Sequence, residues 1–356
     1  MNTAMRALVF KGPNDYAIEE KPMPHAGEGE VVLKVLACGL CGTDVKVFTK
    51  GHRAVKPPMT TGHEIVGEVV ETKSATAGVT VGDRVIVVAP VGCMQCEFCK
   101  KGLQNICPRV VNDVHAFGYT IPGGFAEYVL VPQEAADQGV LIPIPATKLP
   151  WTSFAICEPL SSVINGQEKL RIASPDAVVI VGAGPIGCMH AYLARAKGAS
   201  RVILADISES KLALARGSKT PADVFVDSSK ENLAERVKQE TGGRGADVII
   251  LAAPAPSLQT EAISMAAIRG RISFFAGLAK GTASPPIDTN DIHYRELEVY
   301  GAFGANPRHY KEALAAVLDG SVDASRLITH TIPLENIAEA VRLAEAGAST
   351  KVVIVP

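Results

Sequence analysis

The sequence predicts an α/β protein in which a doubly wound parallel-sheet domain is inserted between two parts of an irregular, mostly antiparallel β domain. Three observations predict this. Residues 178–181 (VVIV) form a short apolar run, the pattern of a strand buried on both faces. The glycine turn Gly182-Ala183-Gly184-Pro185-Ile186-Gly187 follows, then an amphipathic helical stretch to about Lys197 and a second apolar run, 202–205, that ends at Asp206. From about residue 159 helical and strand periods alternate, whereas the first 155 or so residues hold short β-branched runs divided by Gly and Pro.

In order, strands are expected at 7–10, 30–37, 65–71, 84–88 and 126–131. In the inserted domain, helical stretches at 208–216, 230–240 and 257–268 alternate with strands at 224–226, 247–251, 271–275 and 297–301. Two helical segments, 307–319 and 335–345, and a last strand, 351–355, return to the first domain. The predicted boundaries are 1–158, 159–303 and 304–356.

With 356 residues, 47% of them hydrophobic and 20% charged, the chain is long enough for two proper cores. A formal net charge of -2 and the lack of a basic cluster argue against nucleic acid or an anionic membrane as partner. Residues 1–10 read as a first strand, with no signal-peptide pattern. The stretch 177–194 carries no Asp, Glu, Lys or Arg, but it contains the glycine turn, Pro185 and His190, so a buried strand and helix explain it. A cytoplasmic protein with reduced thiols is expected.

A lone G-x-G-x-x-G is a weak signal. Between a strand and a helix, with an acid about 20 residues further on, it reads as a dinucleotide site. Gly182 permits the tight turn, Gly184 lets the backbone approach a pyrophosphate, and Gly187 lets helix and strand pack closely. Asp206 would accept the ribose hydroxyls of NAD and repel the extra phosphate of NADP. The bland alternative is a glycine-rich turn that binds nothing.

Eight cysteines are present, and Cys93, Cys96, Cys99 and Cys107 fall in a C-x2-C-x2-C-x7-C run. Four thiolates in one short loop suit a closed, structural zinc site. An iron–sulfur cluster is the rival, disfavoured by the wide last gap and by the dinucleotide fold. A second set is more diffuse: Cys41 in CGLCGTD, His63 and Glu64 in TTGHEIVGE, and Glu158 in CEPL. A thiolate, an imidazole and carboxylates can hold a catalytic zinc with an open position. Spacing alone does not separate that reading from an ordinary histidine and a surface acid. Cys38 and Cys41 also form a C-x2-C pair, so a redox dithiol competes, though without thioredoxin-like context. Cys157 and Cys188 read as small buried residues.

Taken together, CGTD at 41–44, GHE at 62–64, GDRV at 82–85, the four-cysteine lobe, GGFAEYV at 123–129, EPL at 158–160 and GAGPIG at 182–187 resemble the zinc-dependent medium-chain dehydrogenase/reductase family. The branch most similar is that of the polyol (sorbitol-type) and threonine dehydrogenases, and the resemblance spans essentially the whole chain. It implies a GroES-like catalytic domain and a Rossmann NAD-binding domain. It also implies two zinc ions per chain, one catalytic and one structural, and a homotetramer or dimer.

The resemblance makes Cys41, His63 and Glu64 the catalytic zinc ligands, with Glu158 as a further ligand or water-holding acid. Thr43 becomes the hydroxyl that takes the substrate alcohol's proton, and Asp44 the acid that holds the zinc-binding histidine. Gly182, Gly184, Pro185, Ile186, Gly187, Asp206, Lys211, Gly277, Leu278, Phe303 and Gly304 become cofactor contacts. Three positions depart from the family. Lys46 takes the place of a relay histidine; Val47 and Gly304 stand where sorbitol-type enzymes carry a tyrosine and an arginine. A related polyol, cyclitol, sugar or sugar acid is therefore expected in place of sorbitol. Lys46 or Arg308 could meet an anionic group on it. L-threonine 3-dehydrogenase shares nearly all these motifs. A decayed dinucleotide-binding protein and a metal-free quinone reductase fit poorly with the ligand set.

Overall fold

The computed structural model describes residues 3–279, 281–282 and 284–356. The chain divides into two compact units, residues 1–161 with 304–320 and 328–356, and residues 162–303 with 321–327.

The first unit opens with an antiparallel hairpin of β1 (Ala4–Gly12) and β2 (Asp15–Pro22). β2 is absent from the sequence expectations because DYAIEEKP has no apolar alternation; its pairing with β1 overrides weak propensity. β3 (Val31–Leu40), β4 (Glu64–Thr72), β5 (Arg84–Val87), β6 (Tyr128–Val131) and β7 (Leu141–Pro143) follow. β3 is the spine of this unit, pairing antiparallel with both β4 and β6. Val31, Val32 and Leu33 are fully buried on it, each contributing roughly 1.5–3 kcal/mol of apolar burial.

In the second unit β8 (Ala177–Val181), β9 (Arg201–Asp206), β10 (Val224–Asp227), β11 (Ala246–Leu251), β12 (Ala266–Phe274) and β13 (Glu298–Gly301) form one parallel sheet. Its order is β10-β9-β8-β11-β12-β13, so the chain reverses direction of growth beside β8, where a doubly wound sheet opens its ligand crevice. Val178, Val179 and Ile180 are fully buried, as two-sided burial requires. One expectation fails here. The helical period at 257–268 overruns: the helix is Pro256–Met265, and Ala266 already begins β12. Small alanines suit either state, and pairing with β11 decides the matter.

The chain then returns to the first unit. β14 (Ile328–Pro333), also missing from the sequence expectations, and β15 (Lys351–Val355) are parallel to each other, and β15 pairs antiparallel with β3. The sheet thus runs β14-β15-β3-β4-β5-β7, with β6 on β3. No helix among the described residues is long and apolar enough to cross a membrane.

Candidate active site

The site is built on the ends of β3 and β4. Gly39 lies opposite Glu64 in the ladder. A Cβ on Gly39 would fall 1.8 Å from Glu64 Oε2. Glycine there is the space the carboxylate occupies. Past β3 the chain enters the helix Gly42–Lys50, with Cys41 as its N-cap. Cys41 Sγ accepts from the Thr43 N–H at 3.4 Å, and Asp44 Oδ2 accepts from the Cys41 N–H at 2.9 Å. The sulfur therefore lies at the N-terminal end of this helix, beside the Thr43 backbone.

Cys41, His63 and Glu64 offer ligand atoms all within 4.8 Å of one another. His63 and Glu64 are buried, while Cys41 is half-buried. Asp44, itself buried, places Oδ1 3.4 Å from His63 Nδ1. Burial works against charging His63, yet the Tyr119 phenol, Asp44 and Cys41 around it outweigh that and hold its pKa well above the usual histidine value. A buried imidazole between the Asp44 and Glu64 carboxylates, with a cysteine sulfur beside it, is a donor set suited to a cation. The residues fit zinc.

Glu158 stands outside that close trio, at the start of the helix Cys157–Glu168. Its Oε1 accepts from Tyr310 Oη at 3.4 Å, and Tyr310 Oη accepts from the Ala89 N–H at 3.1 Å. Burial pushes the Glu158 carboxyl up to about 7, against the pull of His63. Thr43 is half-buried, and its hydroxyl has no hydrogen-bond partner among the described residues. Lys46 is exposed on the same helix, and Val47 is buried in it. Arg308 pairs with Glu312 at 2.6 Å.

Sequence reasoning missed three members of this site. Lys351 on β15 donates to Glu64 Oε1 at 2.6 Å and to Leu40 O at 3.0 Å. Tyr310 and Tyr119, whose ring lies 5.3 Å from that of His63, are the others. A lysine opening a strand and a tyrosine inside a helix carry no local signal; a buried lysine shows itself only through its partner.

In the lobe, the sulfurs of Cys93, Cys96, Cys99 and Cys107 also converge within 4.8 Å. Backbone N–H groups of Cys93, Cys96 and Cys99 donate to the sulfurs of Cys107, Cys93 and Cys96 at 3.3–3.4 Å. N–H groups of Gln95 and Cys96 hold the Cys93 thiol down to about 6. Burial pushes the Cys99 thiol the other way, up to about 12, but four converging cysteine sulfurs are the donor set of a closed structural zinc site with no position left for substrate. The Cys38–Cys41 dithiol alternative finds no support: Cys38 is fully buried, and burial raises its thiol pKa well above the ordinary value. Cys157 and Cys188 are also fully buried.

In the second unit, Gly184 caps the helix Pro185–Ala196, whose first residue is Pro185, and Gly182 has φ 115°. A Cβ on Gly187 would sit 1.7 Å from Gly182 O, so only glycine lets this helix start against β8. Gly184 opens onto free space. Asp206 Oδ2 accepts from the Ala183 N–H at 2.8 Å and Oδ1 from the Ser208 N–H at 2.9 Å. The acid thus braces the glycine turn, a duty not anticipated. It also lines a cavity of about 650 Å³ with Gly182, Ile207, Ser228 and Glu231. Lys211 and Gly277 are exposed, Ile186 and Leu278 half-buried, and Phe303 is exposed at the end of this unit. Gly304, with φ 55°, belongs to the first unit.

Residues 27–146 match the alcohol dehydrogenase GroES-like domain, and residues 185–319 match the zinc-binding dehydrogenase domain. Sorbitol dehydrogenase of Bombyx mori is 34% identical over 355 residues, covering 98% of this chain and 97% of the relative. L-threonine 3-dehydrogenase of Rhizobium rhizogenes is 32% identical, covering 99% of each. A zinc-binding dehydrogenase from Sinorhizobium meliloti, bound to NADP, superposes with TM-score 0.89 at 30% identity, and covers all of both chains. An alcohol dehydrogenase from Escherichia coli CFT073, complexed with NADH, superposes with TM-score 0.88 at 26% identity, again over all of both chains. The chain belongs to the zinc-dependent medium-chain alcohol dehydrogenase family, as a zinc-dependent oxidoreductase that acts on CH–OH groups.

Proposed function

We propose that this protein is an NAD-linked dehydrogenase that oxidises a secondary alcohol of a small polyol, cyclitol, sugar or sugar acid to the ketone. The observation that carries the reading is the converging trio of half-buried Cys41 and buried His63 and Glu64, with the Thr43 hydroxyl two residues from the thiol. Zinc held by these three residues supplies Lewis-acid polarisation of a hydroxyl oxygen, and bound NAD supplies the hydride acceptor.

The chain's own residues do the rest. Asp44 orients His63 through its ring nitrogen. Thr43 Oγ1 accepts the alcohol proton as its own proton moves on toward solvent, with Lys46 at the outer end. Threonine is not basic, so it relays without driving. Glu158 is either a fourth ligand or the holder of a water, kept in place by Tyr310. The Gly182–Gly187 turn offers its backbone N–H groups to the pyrophosphate, with Ile186 and Leu278 as apolar contacts. Lys211, Gly277, Phe303 and Gly304 complete the cofactor contacts. Asp206 favours NAD by repelling a 2′-phosphate.

L-threonine 3-dehydrogenase is the second reading, favoured by the near-equal similarity to the Rhizobium enzyme. A panel of polyols, sugar acids and L-threonine with NAD, followed by NADH absorbance, tests both. Turnover of a polyol or sugar acid above L-threonine supports the first; L-threonine alone as substrate overturns it.

A further inference from the structure

His52 and Tyr119 lie just outside the candidate metal trio, and the chemistry above uses neither. The Tyr119 ring stands between two imidazoles, 5.3 Å from that of His63 and 5.4 Å from that of His52. The tyrosine and His52 meet edge-on, at 66°. His52 is half-buried in the turn that follows Gly51, the C-cap of the Gly42–Lys50 helix, which has φ 77°. The next residue fixes that turn. The Arg53 guanidinium donates to the carbonyls of Val111, at 3.1 Å, and Asn112. Those carbonyls belong to the helix Pro108–Asp113, which leads into the segment carrying Tyr119.

The protonation of His52 can be read from its contacts. Nδ1 accepts from the Ala54 N–H at 3.3 Å, so that nitrogen is the unprotonated one. Burial and the neighbouring Arg53 lower the ring's pKa, which keeps it neutral near pH 7. A neutral imidazole accepting at Nδ1 carries its proton on Nε2, and Nε2–H has no partner among the described residues. It is a free donor beside an aromatic wall. That pairing suits a hydroxylated carbon chain, whose oxygens accept hydrogen bonds and whose C–H groups pack on rings.

We propose that His52 and Tyr119 recognise the part of the substrate remote from the reacting carbon, His52 Nε2–H donating to a substrate hydroxyl and Tyr119 packing on the carbon chain. This rests on the polyol reading above. Both are specificity residues: chain length beyond the reacting diol is what they sense.

The test compares a six-carbon polyol with butane-2,3-diol on the zinc-loaded enzyme with NAD. His52→Ala is expected to lower kcat/KM for the long polyol roughly 2- to 13-fold more than for the diol, as loss of one neutral hydrogen bond implies. The effect should fall mainly on KM. His52→Gln, which keeps an N–H donor, should recover part of it, and Tyr119→Ala should show the same bias toward the long substrate. With ¹⁵N-labelled histidine, the wild-type His52 ring should show the Nε2–H tautomer, and its Nε2 resonance should move when the polyol is added. Equal loss on both substrates, or an Nδ1–H tautomer unmoved by polyol, overturns the proposal. If the wild type oxidises neither alcohol, the functional reading fails. If it oxidises both and His52→Ala hits them equally, the recognition pair alone fails.

Discussion

Lys351 Nζ donates to Glu64 Oε1 at 2.6 Å, with both side chains almost wholly removed from solvent. The contact joins residues 287 apart in sequence, because β15 and β4 flank β3 on either side. Burial works against the lysine's charge, but Glu64, with Cys41 beside it, more than offsets that and keeps the ammonium ionised. The last strand of the chain therefore supplies the cation that orients a candidate metal ligand. Lys351→Met leaves a buried carboxylate without its partner and should cost about 3–5 kcal/mol. Denaturant titration should show the double variant Glu64→Gln/Lys351→Met losing less than the single one. A Lys351→Met protein within 1 kcal/mol of wild type, against that ~3–5 kcal/mol expectation, would show that the pair holds nothing.

The two metal sites should fail differently. Cys96→Ser opens a closed thiolate site that contributes to folding, so stability and zinc content should both drop. Cys41→Ser should give a folded protein with one zinc and little activity. Elemental analysis decides: iron with acid-labile sulfide in the lobe would refute the scheme.

Cofactor choice rests on Asp206. Asp206→Ser should weaken NAD and admit NADP, narrowing the ratio of their kcat/KM values. Because the same carboxylate braces Ala183 and Ser208, some loss of NAD affinity should come from a looser glycine turn. Equal use of both cofactors by the wild type would contradict the assignment.

His190 sits fully buried in the Pro185–Ala196 helix, its Nδ1 3.1 Å from Gln167 Nε2 and its ring edge-on to Phe275. Burial, with a small push from Lys197, holds its pKa down at about 3. The unfolded chain binds this proton near the ordinary value of about 6.5 while the folded one does not. Its share of stability is therefore complete above that value and is lost as pH falls from there toward 3. Between pH 7 and pH 5 the loss should be about 2 kcal/mol. Denaturant titrations at the two pH values should show His190→Gln losing less by that amount. A parallel loss in both proteins would mean that His190 is not the group responsible.

Much of this was legible in the sequence wherever a residue type is tied to one chemistry. The glycine turn and the four-cysteine run need particular atoms at particular spacings, whereas the Cys41, His63 and Glu64 set, scattered along the chain, was legible only through the family resemblance. Lys351 and Tyr310 were not legible. Each is ordinary in its own segment and meets its partner only when distant strands and helices pack. β2 was missed because its sequence is polar, and the end of the Pro256–Met265 helix because alanines tolerate either period. The duty of Asp206 to the turn was hidden because an acid after a strand has a ready explanation in the ribose.

The most direct test of the central claim is Thr43→Val, which keeps the shape and removes the hydroxyl beside the Cys41 cap. Turnover of the preferred alcohol should be measured with the substrate protonated and deuterated at the reacting carbon. A fall of about 100- to 10,000-fold is expected, the range of a positioned proton-transfer group, with NAD affinity and zinc content unchanged. Near-normal turnover in the variant, with the deuterated substrate showing hydride transfer to be rate-limiting, would contradict the account.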